Sequence, residues 1–142
     1  MKPRILVIED NPQNMYLTRF LLEKRGCEVL PAEDGPTGIA LASKERPDVI
    51  LLDIQLPGMD GYAIAAALRS DADLDSVPIV AVTSYAMAGD RERILAAGAD
   101  AYIEKPINPD TFTAQVLALV PASRGGTGPE RRDGERPEGE RP

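Results

Sequence analysis

Five short apolar runs alternate with longer stretches of helical periodicity, and this alternation narrows the possible folds more than anything else in the chain. The runs are "RILVI" (4–8), "CEVLPA" (27–32), "DVILLD" (48–53), "PIVAVT" (78–83) and "AYIE" (101–104). They are too short for helices and rich in the β-branched residues that strands favour. Helical patterns occupy about 12–25, 36–46, 61–70, 87–97 and 109–119. In "NMYLTRFLLEKRG" apolar residues recur at 15, 17, 20, 21 and 22, and Gly26 follows where a C-capping glycine belongs. "YAIAAALRS" and "RERILAAG" owe their helix propensity to alanine. Strands alternating with helices of this length predict right-handed βαβ crossovers and a parallel sheet covered on both faces.

Five such βα units in about 120 residues predict an α/β fold, a flavodoxin-like doubly wound (βα)5 sandwich with strand order 2-1-3-4-5. The near-continuous apolar stretches 49–52 and 79–82 suit central strands. Composition changes abruptly at Pro121. From there "PASRGGTGPERRDGERPEGERP" holds no large apolar residue, and its five arginines balance five acidic residues. Such a segment cannot bury enough apolar area to offset the entropy of ordering, so residues 121–142 are expected to be a disordered low-complexity tail on a 1–120 domain. The whole net charge of −7 then falls on residues 1–120, which argues against nucleic-acid or anionic-membrane partners. No apolar run approaches the roughly 20 residues that span a bilayer, and the opening run is too short for a secretory signal. A cytoplasmic location is the expectation.

Histidine is absent, which removes imidazole bases and His-ligated zinc, and Cys27 is the only cysteine. Cys27 reads as a small core residue. Any chemistry therefore falls to carboxylates, hydroxyls, lysine and a hard metal ion.

In a doubly wound sheet, ligands bind outside the carboxyl ends of the strands. Here the strand ends read Glu9-Asp10, Asp53, Thr83-Ser84 and Glu104-Lys105-Pro106. Three of those carboxylates, from Glu9, Asp10 and Asp53, repel one another unless one stays protonated or a cation enters. All-oxygen ligands suit Mg²⁺ or Mn²⁺, with Asp10 and Asp53 as direct ligands and Glu9 acting through water. Asp53 could then act as a nucleophile toward a phosphoryl group, forming an acyl phosphate. Lys105 and Thr83 would contact phosphoryl oxygens, helped by backbone N–H groups after Asp53. Taken singly, each residue has a plainer reading. "ED" can be an acidic pair at a helix start, Asp53 a turn or cap residue, "TS" a cap and "KP" a turn. Four strand ends carrying the required residues together favour the chemical reading.

The segments "ILVIEDN", "PDVILLDIQLPGMDGY", "VPIVAVTSYA" and "GADAYIEKPI" resemble the response-regulator receiver domain of two-component signalling, over essentially all of residues 4–120. The resemblance implies Asp53 as phosphoacceptor, Glu9 and Asp10 as the acidic pair holding Mg²⁺, and the backbone carbonyl of Gln55 as the remaining protein ligand. It also implies Thr83 as switch hydroxyl, Tyr102 as switch aromatic, Lys105 as the site lysine and a cis peptide between Lys105 and Pro106. None of these positions departs from the family pattern. Nothing after residue 120 resembles an output domain, so the chain is similar to single-domain regulators of the chemotaxis and cell-cycle type. Implied partners are a histidine kinase or histidine phosphotransfer protein as donor, and a protein target on the face of residues 87–97, 101–104 and 109–119. A monomer or weak dimer is expected, catalysing only its own phosphorylation and dephosphorylation and so not an enzyme in the usual sense.

Three rivals fit less well. A haloacid-dehalogenase-like phosphohydrolase needs a second Asp two residues after the nucleophile, where this chain has Gln55. A flavodoxin-like cofactor binder needs a phosphate-cradling loop, where "EDNPQN" offers carboxylates. A phosphorylation-independent pseudo-receiver would not need Glu9, Asp10, Asp53 and Lys105 together. A receiver fragment of a longer regulator remains compatible with the tail.

Overall fold

The computed structural model describes residues 2–56, 58, 60–84 and 88–120. The expected tail, 121–142, and the first residue of the expected 87–97 helix lie outside the described residues. The chain runs β1 (Arg4–Ile8), α1 (Pro12–Lys24), β2 (Glu28–Ala32), α2 (Gly35–Glu45), β3 (Val49–Asp53), α3 (Gly61–Arg69), β4 (Ile79–Thr83), α4 (Ala88–Ala96), β5 (Ala101–Glu104) and α5 (Phe112–Leu117). All neighbouring strands pair in parallel, and their order is β2-β1-β3-β4-β5. The doubly wound α/β sandwich expected from the sequence is the fold observed.

Strand alternation divides the core into two layers. Leu6, Ile8, Ile50, Leu52, Ile79 and Ala81 meet Ala42 of α2, Ile64 and Leu68 of α3, and Ile94 of α4. On the other face Ile5, Val7, Leu51 and Val80 meet Leu22 of α1 with Phe112 and Val116 of α5. Every residue of β3 and β4 is buried, as their uninterrupted apolar character predicts for interior strands of a parallel sheet. Pro31, which cannot donate to a ladder, lies on the edge strand β2.

Local signals explain where the elements stop. Gly26, with φ of 87°, follows α1, and two hydrogen bonds close the turn: Gly26 N to Glu23 O and Cys27 N to Leu22 O. Cys27 therefore closes the helix, and β2 begins one residue later than its apolar run. The last helix is shorter than the expected 109–119. Asn108 folds the preceding chain into a turn, its side chain accepting from Asp110 N and its carbonyl from Phe112 N. At the other end Leu119 and Val120 donate to carbonyls three residues back, so α5 finishes in tight turns. A 3-10 turn at Ala72–Leu74, capped by Asp71, had no sequence signal strong enough to place it.

The joint between β3 and α3 is tightly packed against backbone. A Cβ on Gly61 would lie 2.6 Å from both Cα and the carbonyl oxygen of Ile54, which are backbone atoms and cannot swing away. Gly61→Ala is expected to destabilise the protein by about 2 kcal/mol or more, as overpacking against backbone does. Gly89→Ala, on α4 with nothing within 4 Å of its missing Cβ, should be neutral or stabilise by up to about 1 kcal/mol. Urea denaturation of the two variants measures the contrast.

Candidate functional site

Four strands deliver the site residues to the carboxyl edge of the sheet. Glu9 directly follows β1, and its N–H continues the ladder to Ala32 O at 2.9 Å. Asn11 then caps α1, accepting from Asn14 N, while its own N–H donates to Glu9 Oε2 at 3.1 Å. Asp53 is the last residue of β3, and Ile54 N donates to Val82 O just beyond it. The chain turns there, so Gln55 N donates back to Asp53 Oδ1 at 2.9 Å. Lys105 follows β5 and is tied to β4 by its N–H to Thr83 O at 2.8 Å. The Lys105–Pro106 peptide is cis.

These placements bring the charged groups together. Lys105 Nζ lies 3.3 Å from Asp53 Oδ1 and 3.6 Å from Glu9 Oε1. Carboxylate oxygens of Glu9, Asp10 and Asp53 all lie within 4.8 Å of one another. Glu9 and Asp53 are only 5% and 3% exposed, whereas Asp10 faces solvent. Burial, with the nearby Asp53 carboxylate adding to it, pushes the Glu9 carboxyl up to about 7, against the opposing pull of the Asn11 N–H and Lys105. Glu9 can therefore hold a proton near neutrality, which is one of the two solutions the crowding of carboxylates allows. The other is a divalent cation, and the donor set fits one: three carboxylates of hard oxygen, open to solvent on the Asp10 side.

Thr83 is fully buried at the end of β4, one strand over from Asp53. Tyr102 pairs with Ala81 in the β4–β5 register and is half-buried against the α2–α4 layer. Side chains alternate along a strand, so Ala81 and Thr83 project to the same face, and Tyr102 shares it. Glu9, Asp10, Asp53 and Lys105 thus meet at the strand ends, Thr83 ends the strand next to that of Asp53, and Tyr102 lies beside them on the α4 side.

Three features escaped the sequence reading. The Gln55 side chain accepts from Ser84 N at 3.1 Å and so ties the loop after β3 to the loop after β4. Arg91 of α4 grips Tyr102, and no motif announces that pair. An open groove of about 450 Å³ runs from Glu9 and Asp10 along α1 past Met15, Tyr16 and Phe20. The rings of Tyr16 and Phe20 stack there 6.3 Å apart and are 72% and 49% exposed; their four-residue spacing was the available signal.

Known proteins resemble this chain in sequence and fold. The model of the response regulator receiver domain matches residues 5–117. The polar-differentiation response regulator DivK of Brucella anthropi is 43% identical over 120 residues, covering 84% of this chain and 98% of that protein. The chemotaxis protein CheY4 of Vibrio cholerae superposes with a TM-score of 0.80 at 28% identity, covering 84% of this chain and all of that one. The receiver domain of the sensor histidine kinase PA1611 of Pseudomonas aeruginosa, solved with a magnesium ion coordinated in its active-site cleft, gives 0.77 at 34% identity, covering 84% and 98%. The chain belongs to the response regulator receiver domain family.

Proposed function

We propose that the protein is a cytoplasmic phosphorelay regulator that accepts a phosphoryl group on Asp53 and changes its affinity for a protein target. The observation that carries this reading is the buried Asp53 carboxylate held 3.3 Å from Lys105 Nζ beside Glu9 and Asp10. A histidine kinase or histidine phosphotransfer protein is the donor. An Asp53 carboxylate oxygen attacks phosphorus, the P–N bond to the donor imidazole breaks, and its electron pair returns to that nitrogen. Mg²⁺, for which Mn²⁺ can substitute, supplies charge neutralisation of the phosphoryl oxygens when bound. Asp10, Asp53 and the Gln55 backbone carbonyl would hold it, with Glu9 acting through water. Lys105 places a fixed positive charge on the transferred group, and the Thr83 hydroxyl donates to one of its oxygens. The chain catalyses its own modification and no turnover of another substrate. With acetyl phosphate and Mg²⁺, intact-mass spectrometry should find one added phosphoryl group on the wild type and none on Asp53→Asn; an equal adduct on the variant would move the acceptor elsewhere.

The switch follows from which groups share a face. With Thr83 drawn toward a phosphoryl group on Asp53, the space beside Ala81 becomes available to the Tyr102 ring. That motion remodels the surface of α4, β5 and α5, which we assign as the target-binding face. The energetic demand is a population shift between two arrangements, a matter of a few kcal/mol. Thr83→Ala should still be phosphorylated on Asp53 yet bind its target no more tightly than the unmodified protein. Titration of the phosphorylated variant against that target decides the matter.

The protonation of Glu9 gives metal binding a pH dependence with a definite sign. Folding raises its pKa from the ordinary 4.5 to about 7, so its contribution to stability is complete below about 4.5 and is lost as pH rises through about 7. A divalent cation held beside Glu9 through water favours loss of the same proton. Mg²⁺ affinity should therefore rise with pH by up to about tenfold per unit below pH 7 and level off above it. Isothermal titration in two buffers of different ionisation heat should detect the released proton near pH 6, and Glu9→Gln should abolish the release.

A further inference from the structure

Helix α4 is anchored differently from the rest of the molecule. Ile94 is its single buried side chain among the described residues, whereas α3 buries Gly61, Ile64, Ala65 and Leu68 and α5 buries Phe112, Thr113 and Val116. Its arginines are also differently engaged. Arg4, Arg19, Arg46 and Arg69 each meet a carboxylate. On α4, Arg93 instead lies over the Tyr62 ring of α3 at 4.3 Å, and Arg91 lies over the Tyr102 ring of β5 at 4.8 Å. Arg91 does more than stack: its Nε and Nη2 both donate to Tyr102 Oη, at 3.0 and 2.6 Å. A charged, forked donor on a single phenolic oxygen is a geometry that holds a ring in one place.

That place is set against the route the ring would take. Tyr102 pairs directly with Ala81, a small residue that shares its face of the sheet with Thr83. A ring turning toward Thr83 must carry its hydroxyl away from Arg91, breaking both hydrogen bonds and the guanidinium–ring contact together.

We propose that Arg91 is a positioning residue that latches the Tyr102 ring where these contacts hold it and thereby fixes how much of the unmodified protein occupies the switched arrangement. The inference rests on the reading of Asp53 as acceptor and Tyr102 as switch given above. Arg91 touches neither a phosphoryl group nor a cation; it acts through the ring alone. Removing it raises the switched population before any phosphoryl group arrives. Because coupling is reciprocal, the same removal tightens binding of a phosphoryl analogue at Asp53 by an equal factor.

Beryllofluoride with Mg²⁺, a tetrahedral phosphoryl analogue, serves as the probe, and 3-fluorotyrosine at position 102 reports the ring by ¹⁹F NMR. Arg91→Ala is expected to move the unliganded resonance toward its beryllofluoride-saturated position and to tighten beryllofluoride binding on the order of three- to tenfold, the range of such contacts. Tyr102→Phe, which keeps the ring but removes the oxygen that Arg91 grips, should tighten binding similarly. The double variant should add nothing further, since both changes open the same latch. A simple loss of helix stability would not move the resonance toward the liganded position. If the wild type binds no beryllofluoride, the acceptor reading falls and the latch with it. If it binds, but Arg91→Ala leaves both affinity and resonance unchanged, or the two single effects add, the latch alone is overturned.

Discussion

The ion pair between Lys105 and Asp53 is the interaction on which the strand-end cluster depends. Burying a carboxylate costs several kcal/mol unless a partner compensates it, and this site buries two. At 3.3 Å and an effective dielectric near 20, one ammonium returns about 5 kcal/mol to Asp53. That is enough for one carboxylate, but Glu9 shares the same ammonium at 3.6 Å and Asp10 stands close by. Burial, with the Asp53 carboxylate adding to it, raises the Glu9 carboxyl to about 7 despite the pull of Lys105. The ammonium can exert that pull because its backbone is not free to drift: the Lys105 N–H is bound to Thr83 O, so β4 carries both the lysine's tether and the neighbouring hydroxyl.

Most of this was legible in the sequence because periodicity and strand ends are local signals. Runs with no polar interruption became interior strands, and each strand lies within one residue of its expected position. Polar residues at the ends of such runs had to emerge at one edge of a parallel sheet, so Glu9, Asp10, Asp53, Thr83 and Lys105 could be grouped without coordinates. The Cys27 thiol, read as core, is buried, and that burial raises its pKa. One failure is local too. The contraction of α5 depends on Asn108 choosing a turn over a helix, a competition between nearly equal local options.

Contacts between helices and strands were invisible for a different reason. Whether Arg91 meets Tyr102 depends on the rotation of α4 about its own axis and on its distance from β5, quantities that no spacing in the sequence encodes. The same applies to Gln55, whose side chain reaches Ser84 across two loops that are 29 residues apart. Motifs reveal what a site must contain; packing decides what stands next to it.

The molecule's stiffness is distributed accordingly. β3 and β4 are buried along their whole length and joined on both edges, so the two strands bearing Asp53 and Thr83 cannot shift without disturbing both core layers. β5 has a neighbour on one side only and none of its residues is fully buried. α4, against it, is pinned by Ile94 and by two arginine–ring contacts at its flanks. The face shared by Thr83, Ala81 and Tyr102 therefore runs from the stiff interior strands to the more lightly anchored border of β5 and α4. Contacts of the arginine–ring kind suit such a border, since they fix orientation firmly while contributing little to the stability of the fold as a whole.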